Sequence, residues 1–391
     1  MQAAQASSLG ERMLARGVPK NAVVLPFASS ESIAAFARKH TESGSSASEK
    51  AMALYQAILK LKSRGAIEAD KVNEPKARAP KTASELMTLA LEPDAERNRE
   101  AGCYELSALY VAAARAVGLQ AKGAARRRPV GTGQIGHIAA AVRADADAPW
   151  RIYDLQNERR RTHGFRILDD LSFAAHHYNH LAVSAHLRGA PRKALRYVDW
   201  AVSLAPEEPS MANNRAIILA SLGELDGAVA EAAGAVAMAP RVPVYRYQLG
   251  RLQMQVGRLQ AAVASLRAAR QLETGYPLAT RDLGWALLLL GQDTRALRLL
   301  QRAQRRRAPD ATLYLALAQM VTGDRAAARE TLSGAAKKST PSLRALTALL
   351  ESDATGAGKA GALHNDNDSV ARLRRLLAQT RERRTRAAVR D

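Results

Sequence analysis

Ala216-Ile217-Ile218-Leu219-Ala220-Ser221-Leu222-Gly223-Glu224-Leu225-Asp226-Gly227-Ala228 is the stretch from which the rest of the chain can be placed. Its glycine belongs to a series, Gly189, Gly223, Gly257 and Gly291, whose members stand 34 residues apart. Small residues keep the same step in three further columns: Ala182, Ala216, Gly250 and Gly284; Ala194, Ala228, Ala262 and Ala296; and Ala201, Ala235, Ala269 and Ala303. A glycine suits the end of a helix, and columns of hydrogen or methyl mark where two helices cross closely. Pro206 and Pro240 punctuate the ends of the first two units, and Thr274 and Ala308 take that slot in the next two. A fifth, shorter unit follows with Ala316, Gly323, Ala328 and Ala335.

A 34-residue helix–turn–helix period resembles the tetratricopeptide repeat, and the resemblance covers about residues 175–337. It implies a superhelix whose first helices line a concave groove suited to an extended peptide or a partner protein. Counting from Ala175, the groove positions are Asn179, Val183, His186, Asn213, Ile217, Tyr247, Arg251, Met254, Arg281 and Trp285. Asn179, Asn213, Tyr247, Arg251, Arg281 and Trp285 carry the chemistry to clasp a peptide backbone or a carboxylate. The alternative is that these side chains only pack or solvate the inner face.

Working outward toward the N-terminus, Ala101-Gly102-Cys103-Tyr104-Glu105-Leu106 holds the single cysteine of the chain. The run Tyr104 to Val117 has no Gly or Pro and stops at Gly118, so it predicts a helix with Cys103 in its first turn. Partial positive charge at a helix N-terminus favours a thiolate, and free N–H groups there suit an oxyanion. His137-Ile138-Ala139-Ala140-Ala141-Val142 and Trp150-Arg151-Ile152-Tyr153-Asp154 read as strands joined by Ala144-Asp145-Ala146-Asp147-Ala148-Pro149. Cys, His and Asp in this order fit a nucleophile, its base and the group that orients the base. A cysteine on an apolar helix is, taken alone, more often a small core residue; the agreement of three local settings singles this one out. Asp154 has neighbours in sequence that compete for the orienting role: Asp145 and Asp147, which read as turn residues, and Asp169 and Asp170, which read as a helix start.

These residues resemble the transglutaminase-like cysteine enzymes, which share a papain-like Cys-His-Asp arrangement. The matching stretch runs from about Thr82 to Leu155. It includes Thr82-Ala83-Ser84-Glu85-Leu86-Met87, Gly102-Cys103, Ala116-Val117-Gly118-Leu119-Gln120-Ala121, Gly136-His137 and Trp150 four residues before Asp154. The resemblance implies Cys103 as nucleophile, His137 as general acid/base and Asp154 as orienter. The chain departs from the common pattern at Ile138, where many members carry Ala-Trp, so substrate preference does not transfer.

The remaining sequence is less specific. Ser30–Arg38 and Ser46–Arg64 read as helices, Glu68–Pro80 as a charged surface connection, and Glu92–Glu100 as one rim of the cleft. Glu351–Asp368 reads as a linker, and Val370, Leu373, Leu376 and Leu377 as the apolar side of a basic helix that caps the last repeat. His176 and His180 stand four apart, but without further ligands they predict no metal site, and no cofactor is called for. A net charge of +21 is concentrated at Arg126-Arg127-Arg128, Arg159-Arg160-Arg161, Arg305-Arg306-Arg307 and the tail. Such runs most often solvate a surface, the alternative being that the two beside the catalytic strands steer an acidic substrate to the cleft; without an aromatic platform or recognised module, nucleic acid is not expected. No run of 18 apolar residues occurs, so no membrane span is expected. Met1 to Ser8 has small residues but no basic start or apolar core, leaving a cytoplasmic protein or one whose leader was removed. One thiol decides neither compartment nor oligomeric state.

The sequence thus predicts an α+β chain, a transglutaminase-like catalytic domain followed by an all-α tetratricopeptide superhelix. The expected divisions are a helical lead-in (1–80), the catalytic core (81–174), about five repeats (175–350), and a linker with a basic helix (351–391). The function expected is cysteine-dependent acyl transfer, most simply peptide or amide hydrolysis, with repeats that bind a protein or peptide. The alternative is a non-catalytic scaffold whose transglutaminase-like part is a docking module.

Overall fold

In the computed structural model the chain divides into two compact units, Met1–Ala239 and Pro240–Asp391. The structure describes residues 2–44, 46–69, 78–92, 99–126, 137–161 and 164–333. The linker and basic helix expected after residue 351, Ala335, and most of the expected cleft rim lie outside the described residues.

The first unit begins with three helices, α1 (Gln2–Ala15), α2 (Glu31–Thr41) and α3 (Ala47–Ser63). A two-residue strand β1 (Glu68–Ala69), α4 (Ala83–Leu91) and β2 (Glu100–Ala101) follow, then α5 (Cys103–Ala116). Five strands come next: β3 (Gln120–Arg126), β4 (Ile138–Arg143), β5 (Arg151–Asp154), β6 (Arg159–Arg161) and β7 (Phe165–Ile167). They form one antiparallel sheet in the order β6-β5-β4-β3-β7. Its residues alternate between two faces, as a period of two requires. Ala121, Ala125, Ile138, Ala140, Val142 and Tyr153 belong to the main core with α5, while Ala124, Ala139, Ala141, Ile152 and Phe165 form a small cluster of their own. Alanines dominate β3 and β4, which lets the long apolar face of α5 lie close to the sheet.

Two expectations change here. Glu68 and Ala69, read as part of a surface connection, pair in parallel with Glu100 and Ala101. Arg159 to Arg161, read as part of a solvated charge run, form the edge strand β6 against β5.

The helix α6 (Asp170–Leu187), capped by the Asp169 carboxylate accepting from the Ser172 N–H, runs through the expected boundary at 174/175. Its first turn covers the sheet: Phe173 sits so close to Gly123 that a β-carbon there would lie 2.5 Å from the ring. Phe173 also stacks on Phe27 at 5.0 Å and meets Tyr104 at 5.4 Å. The same helix then packs against α7 (Pro191–Leu204). The helices α8 (Pro209–Ser221) and α9 (Leu225–Met238) complete this unit as a second hairpin.

The second unit is helical throughout its described part: α10 (Pro243–Gln255), α11 (Leu259–Leu272), α12 (Pro277–Leu289), α13 (Asp293–Arg305), α14 (Ala311–Val321) and α15 (Arg325–Ser333). Each odd-numbered helix packs back on the one before it. The repeat glycines Gly189, Gly223, Gly257, Gly291 and Gly323 all hold φ between 74° and 91°, the left-handed geometry that ends each first helix without a β-carbon clash. The small-residue column is equally strict. A β-carbon on Gly250 would lie 2.7 Å from Leu266 Cγ, and one on Gly284 2.9 Å from Leu300 Cγ. Pro209, Pro243 and Pro277, also 34 apart, open the first helices α8, α10 and α12 at the position where a missing N–H costs nothing.

Candidate functional site

The N-terminus of α5 is locked by a buried carboxylate. The Gly102 N–H donates to Glu105 Oε2 at 2.7 Å, and the Lys81 N–H donates to Oε1 at 2.9 Å. Arg78 reaches both carboxylate oxygens at 2.6 Å each. Burial alone would raise the Glu105 pKa, but the Arg78 hydrogen bonds and charge, with the two backbone donors, leave it lowered. A buried anion at the first turn complements the helix dipole. Ser107 Oγ–H, one turn on, donates to the Cys103 carbonyl at 2.6 Å, and Ile138 O lies 3.4 Å from the same hydroxyl. The cysteine backbone is therefore tied to the strand that follows His137.

His137 stands one residue before β4, and its carbonyl accepts from the Arg126 N–H at 2.9 Å. Asp154 is the last residue of β5, the antiparallel neighbour of β4. His137 Nε2 and Asp154 Oδ2 are 2.8 Å apart, with side chains only 11% and 1% exposed. Cys103, half-buried, is close enough to the same imidazole to act on its charge. With Nε2 on the carboxylate, Nδ1 is the ring nitrogen left for the thiol. Burial would lower the His137 pKa; hydrogen bonds to Asp154 and Cys103 and the charge of both outweigh it and raise it to about 10. The Asp154 pKa, which burial would raise, is instead lowered by the hydrogen bond and charge of His137 and by Asn157. Such an arrangement can move a proton from sulfur to imidazole and hold the resulting cation against the carboxylate. The Phe165 ring meets the imidazole edge-on at 6.1 Å and walls one side.

Asn157 was not singled out from the sequence. Its backbone N–H donates to Asp154 Oδ1 at 3.1 Å, its amide Nδ2 donates to Asp154 Oδ2 at 3.0 Å, and Nδ2 is 3.2 Å from His137 Nε2. The loop that carries it is pinned from α3: Lys62 Nζ donates to Leu155 O at 2.7 Å and to Glu158 Oε1 at 2.9 Å.

The expected groove residues are placed differently from an open clasp. In the first unit Asn179 is buried and accepts from Asn214 Nδ2 at 2.9 Å. Asn213 is fully buried, and neither side-chain atom has a hydrogen-bond partner among the described residues. In the second unit Tyr247 is buried against Tyr276 at 5.2 Å, and Trp285 against Tyr314 at 5.2 Å. Arg281 is also buried; it donates to Asp282 Oδ1 at 2.6 Å and Pro309 O at 2.7 Å, above the Tyr314 ring. Of the six, Arg251 alone offers an exposed guanidinium, stacked over Tyr247 at 5.7 Å. Neighbouring first helices consume the rest in packing.

His176 and His177 are buried on α6, and burial with the nearby His180 charge lowers their pKa values to about 3 and about 4. No group of three potential metal ligands occurs among the described residues. Among them also, no helix is long and apolar enough to cross a membrane.

No family model matches the sequence, and no curated protein matches it either. Solved structures do. A thermophilic tetratricopeptide protein of Thermus thermophilus is 20% identical, covering 45% of this chain and 98% of its own, with a TM-score of 0.40. PilF of Pseudomonas aeruginosa is 17% identical over 57% of this chain and 100% of its own, with a TM-score of 0.42. MamA is 17% identical over 45% and 98%, with a TM-score of 0.36. None of these matches shows a transglutaminase-like domain. The chain has structural neighbours among tetratricopeptide-like helical-repeat proteins.

Proposed function

We propose that the chain is a helical-repeat interaction scaffold whose N-terminal unit carries a cysteine-dependent acyl-transfer centre. The scaffold part rests on the 34-residue period and the helical hairpins of both units, an architecture whose use is to hold protein or peptide partners. It needs no chemistry from Cys103, so it stands as the alternative reading by itself: a binding protein with a catalytically silent N-terminal unit.

The catalytic part rests on one observation, His137 held 2.8 Å from the buried Asp154 carboxylate, with Cys103 near enough to the same imidazole to act on its charge. In the reaction proposed, the Cys103 proton passes to His137 and the thiolate attacks an amide carbonyl. The imidazolium returns that proton to the leaving amine as the C–N bond breaks, giving a thioester and free amine. Water, deprotonated by His137, then releases the acid and restores the thiol; an amine in place of water gives a new amide. Backbone N–H groups at the start of α5 are the candidate oxyanion donors.

The single cysteine makes the test direct. Iodoacetamide should alkylate Cys103 at pH 6 at least tenfold faster than it alkylates N-acetylcysteine, and His137→Ala should remove that advantage. A wild-type rate no higher than the small thiol's, and indifferent to His137→Ala, would leave only the scaffold.

A further inference from the structure

The groups immediately behind the triad carry an assignment that neither the motif order nor the repeats contain. Asp154 is almost fully enclosed, and a buried carboxylate must have its oxygens satisfied. Asn157 supplies two of its three described donors. The backbone N–H feeds Oδ1 and the amide feeds Oδ2, the oxygen that lies 2.8 Å from His137 Nε2. The amide nitrogen itself lies 3.2 Å from Nε2. That contact is within hydrogen-bond reach, its donor and acceptor roles following the ring tautomer, so one amide nitrogen touches both the carboxylate and the imidazole. The ring thus has a carboxylate in front of Nε2, an amide beside it and Phe165 edge-on at 6.1 Å. The titratable groups facing it are Cys103 from α5 and Asp154 from β5.

The anchorage of Asn157 is equally specific. It lies three residues beyond β5 in a loop whose next residue, Glu158, holds φ at 55°. A left-handed non-glycine residue persists only where its surroundings fix it. Lys62, its side chain 8% exposed, supplies that fixing by bridging Leu155 O and the Glu158 carboxylate. A chain of contacts therefore runs from α3 through Lys62 and the loop to Asn157, Asp154 and the imidazole.

We propose that Asn157 is a positioning residue of the thiol centre, which orients the Asp154 carboxylate and the His137 ring so that the second ring nitrogen faces Cys103, and that Lys62 holds Asn157 in place. This rests on the thiol reading above. Asn157 exchanges no proton and touches no substrate; its effect is geometric, of the kind by which outlying hydrogen bonds align reacting groups.

The test compares wild type, Asn157→Ala, Asn157→Leu and Lys62→Met in the full chain, by Cys103 alkylation with iodoacetamide at pH 6 and by NMR titration of the His137 imidazole. Both Asn157 variants should lose about tenfold in alkylation rate, and the imidazole midpoint should fall by at least one unit; Lys62→Met should move both in the same direction by less. Asn157→Leu, close in volume, carries the test if Asn157→Ala does not fold, and thermal unfolding followed by circular dichroism identifies that case. A fast wild type slowed by His137→Ala, with both Asn157 variants unchanged in rate and midpoint, overturns the assignment and leaves the thiol reading intact. A wild type no faster than N-acetylcysteine overturns the thiol reading itself.

Discussion

At the scale of single residues, the imidazole of His137 is strongly displaced from its ordinary state. Its pKa is raised to about 10, so the stabilisation from its charged pairing is fully present below the unfolded value near 6.5 and is lost as pH rises toward 10. The Asp154 pKa moves the other way, so its contribution is present above the usual carboxylate range and fades as pH falls below it. NMR titration of wild type should therefore place the His137 midpoint near 10, and Asp154→Asn should bring it down by at least one unit. A midpoint near 6.5 in wild type would dissolve the charged pair. The sequence made Cys103, His137 and Asp154 legible because each sits at an element boundary with recognisable punctuation. Asn157 was not legible. An asparagine after a short strand reads as a turn former, and its contacts depend on a left-handed Glu158 and on Lys62, far upstream in the chain, which no local pattern encodes.

At the scale of elements, the repeat helices show how spacing alone can specify contact. Gly250 and Gly234 both lie inside helices, yet they differ in what a methyl would meet. On α10, a β-carbon at Gly250 falls 2.7 Å from Leu266 Cγ; on α9, one at Gly234 has nothing within 4 Å. Thermal unfolding should separate them by sign. Gly250→Ala should destabilise by about 1–3 kcal/mol through overpacking, and Gly234→Ala should stabilise by about 0.5–1 kcal/mol through helix propensity. Equal effects would mean that the column is not a contact column. The period was readable because four columns keep it; the Pro209, Pro243 and Pro277 column repeats the same signal at the helix starts. The edge strands β6 and β7 were hidden for the opposite reason. Each is three residues long, and Arg159 to Arg161 have no alternation of apolar and polar residues to betray a strand. The burial of Asn179, Asn213, Tyr247, Arg281 and Trp285 was not legible, because counting a repeat position gives the helix face but not how closely the next repeat covers it.

At the scale of the whole molecule, histidine is unevenly distributed: none lies between Pro240 and Ser333. His176 and His177 are buried neutral in the first unit, with values lowered to about 3 and about 4. For a depressed histidine the unfolded chain takes up its proton first, so stability is lost as pH falls from about 6.5 through the folded values. At pH 5 the loss amounts to about 2 kcal/mol per histidine. Hydrogen exchange followed by mass spectrometry should therefore show α6 and the sheet opening between pH 6.5 and 4 before α10–α15. Replacement of both histidines by Leu should narrow that difference, and simultaneous opening in wild type would refute it.

The helix α6 has a practical corollary for anyone dissecting this protein. Because Phe173 roofs the sheet while the residues past Ala174 begin the first hairpin, a scissile point at 174/175 would strip one fragment of its lid and hand the other a truncated leading helix. Neither piece would be a faithful sample of its parent. The severance that respects the contacts falls after Ala239, which means two hairpins must travel with Cys103, and any fragment that keeps the sheet intact will carry part of the repeat array along with it.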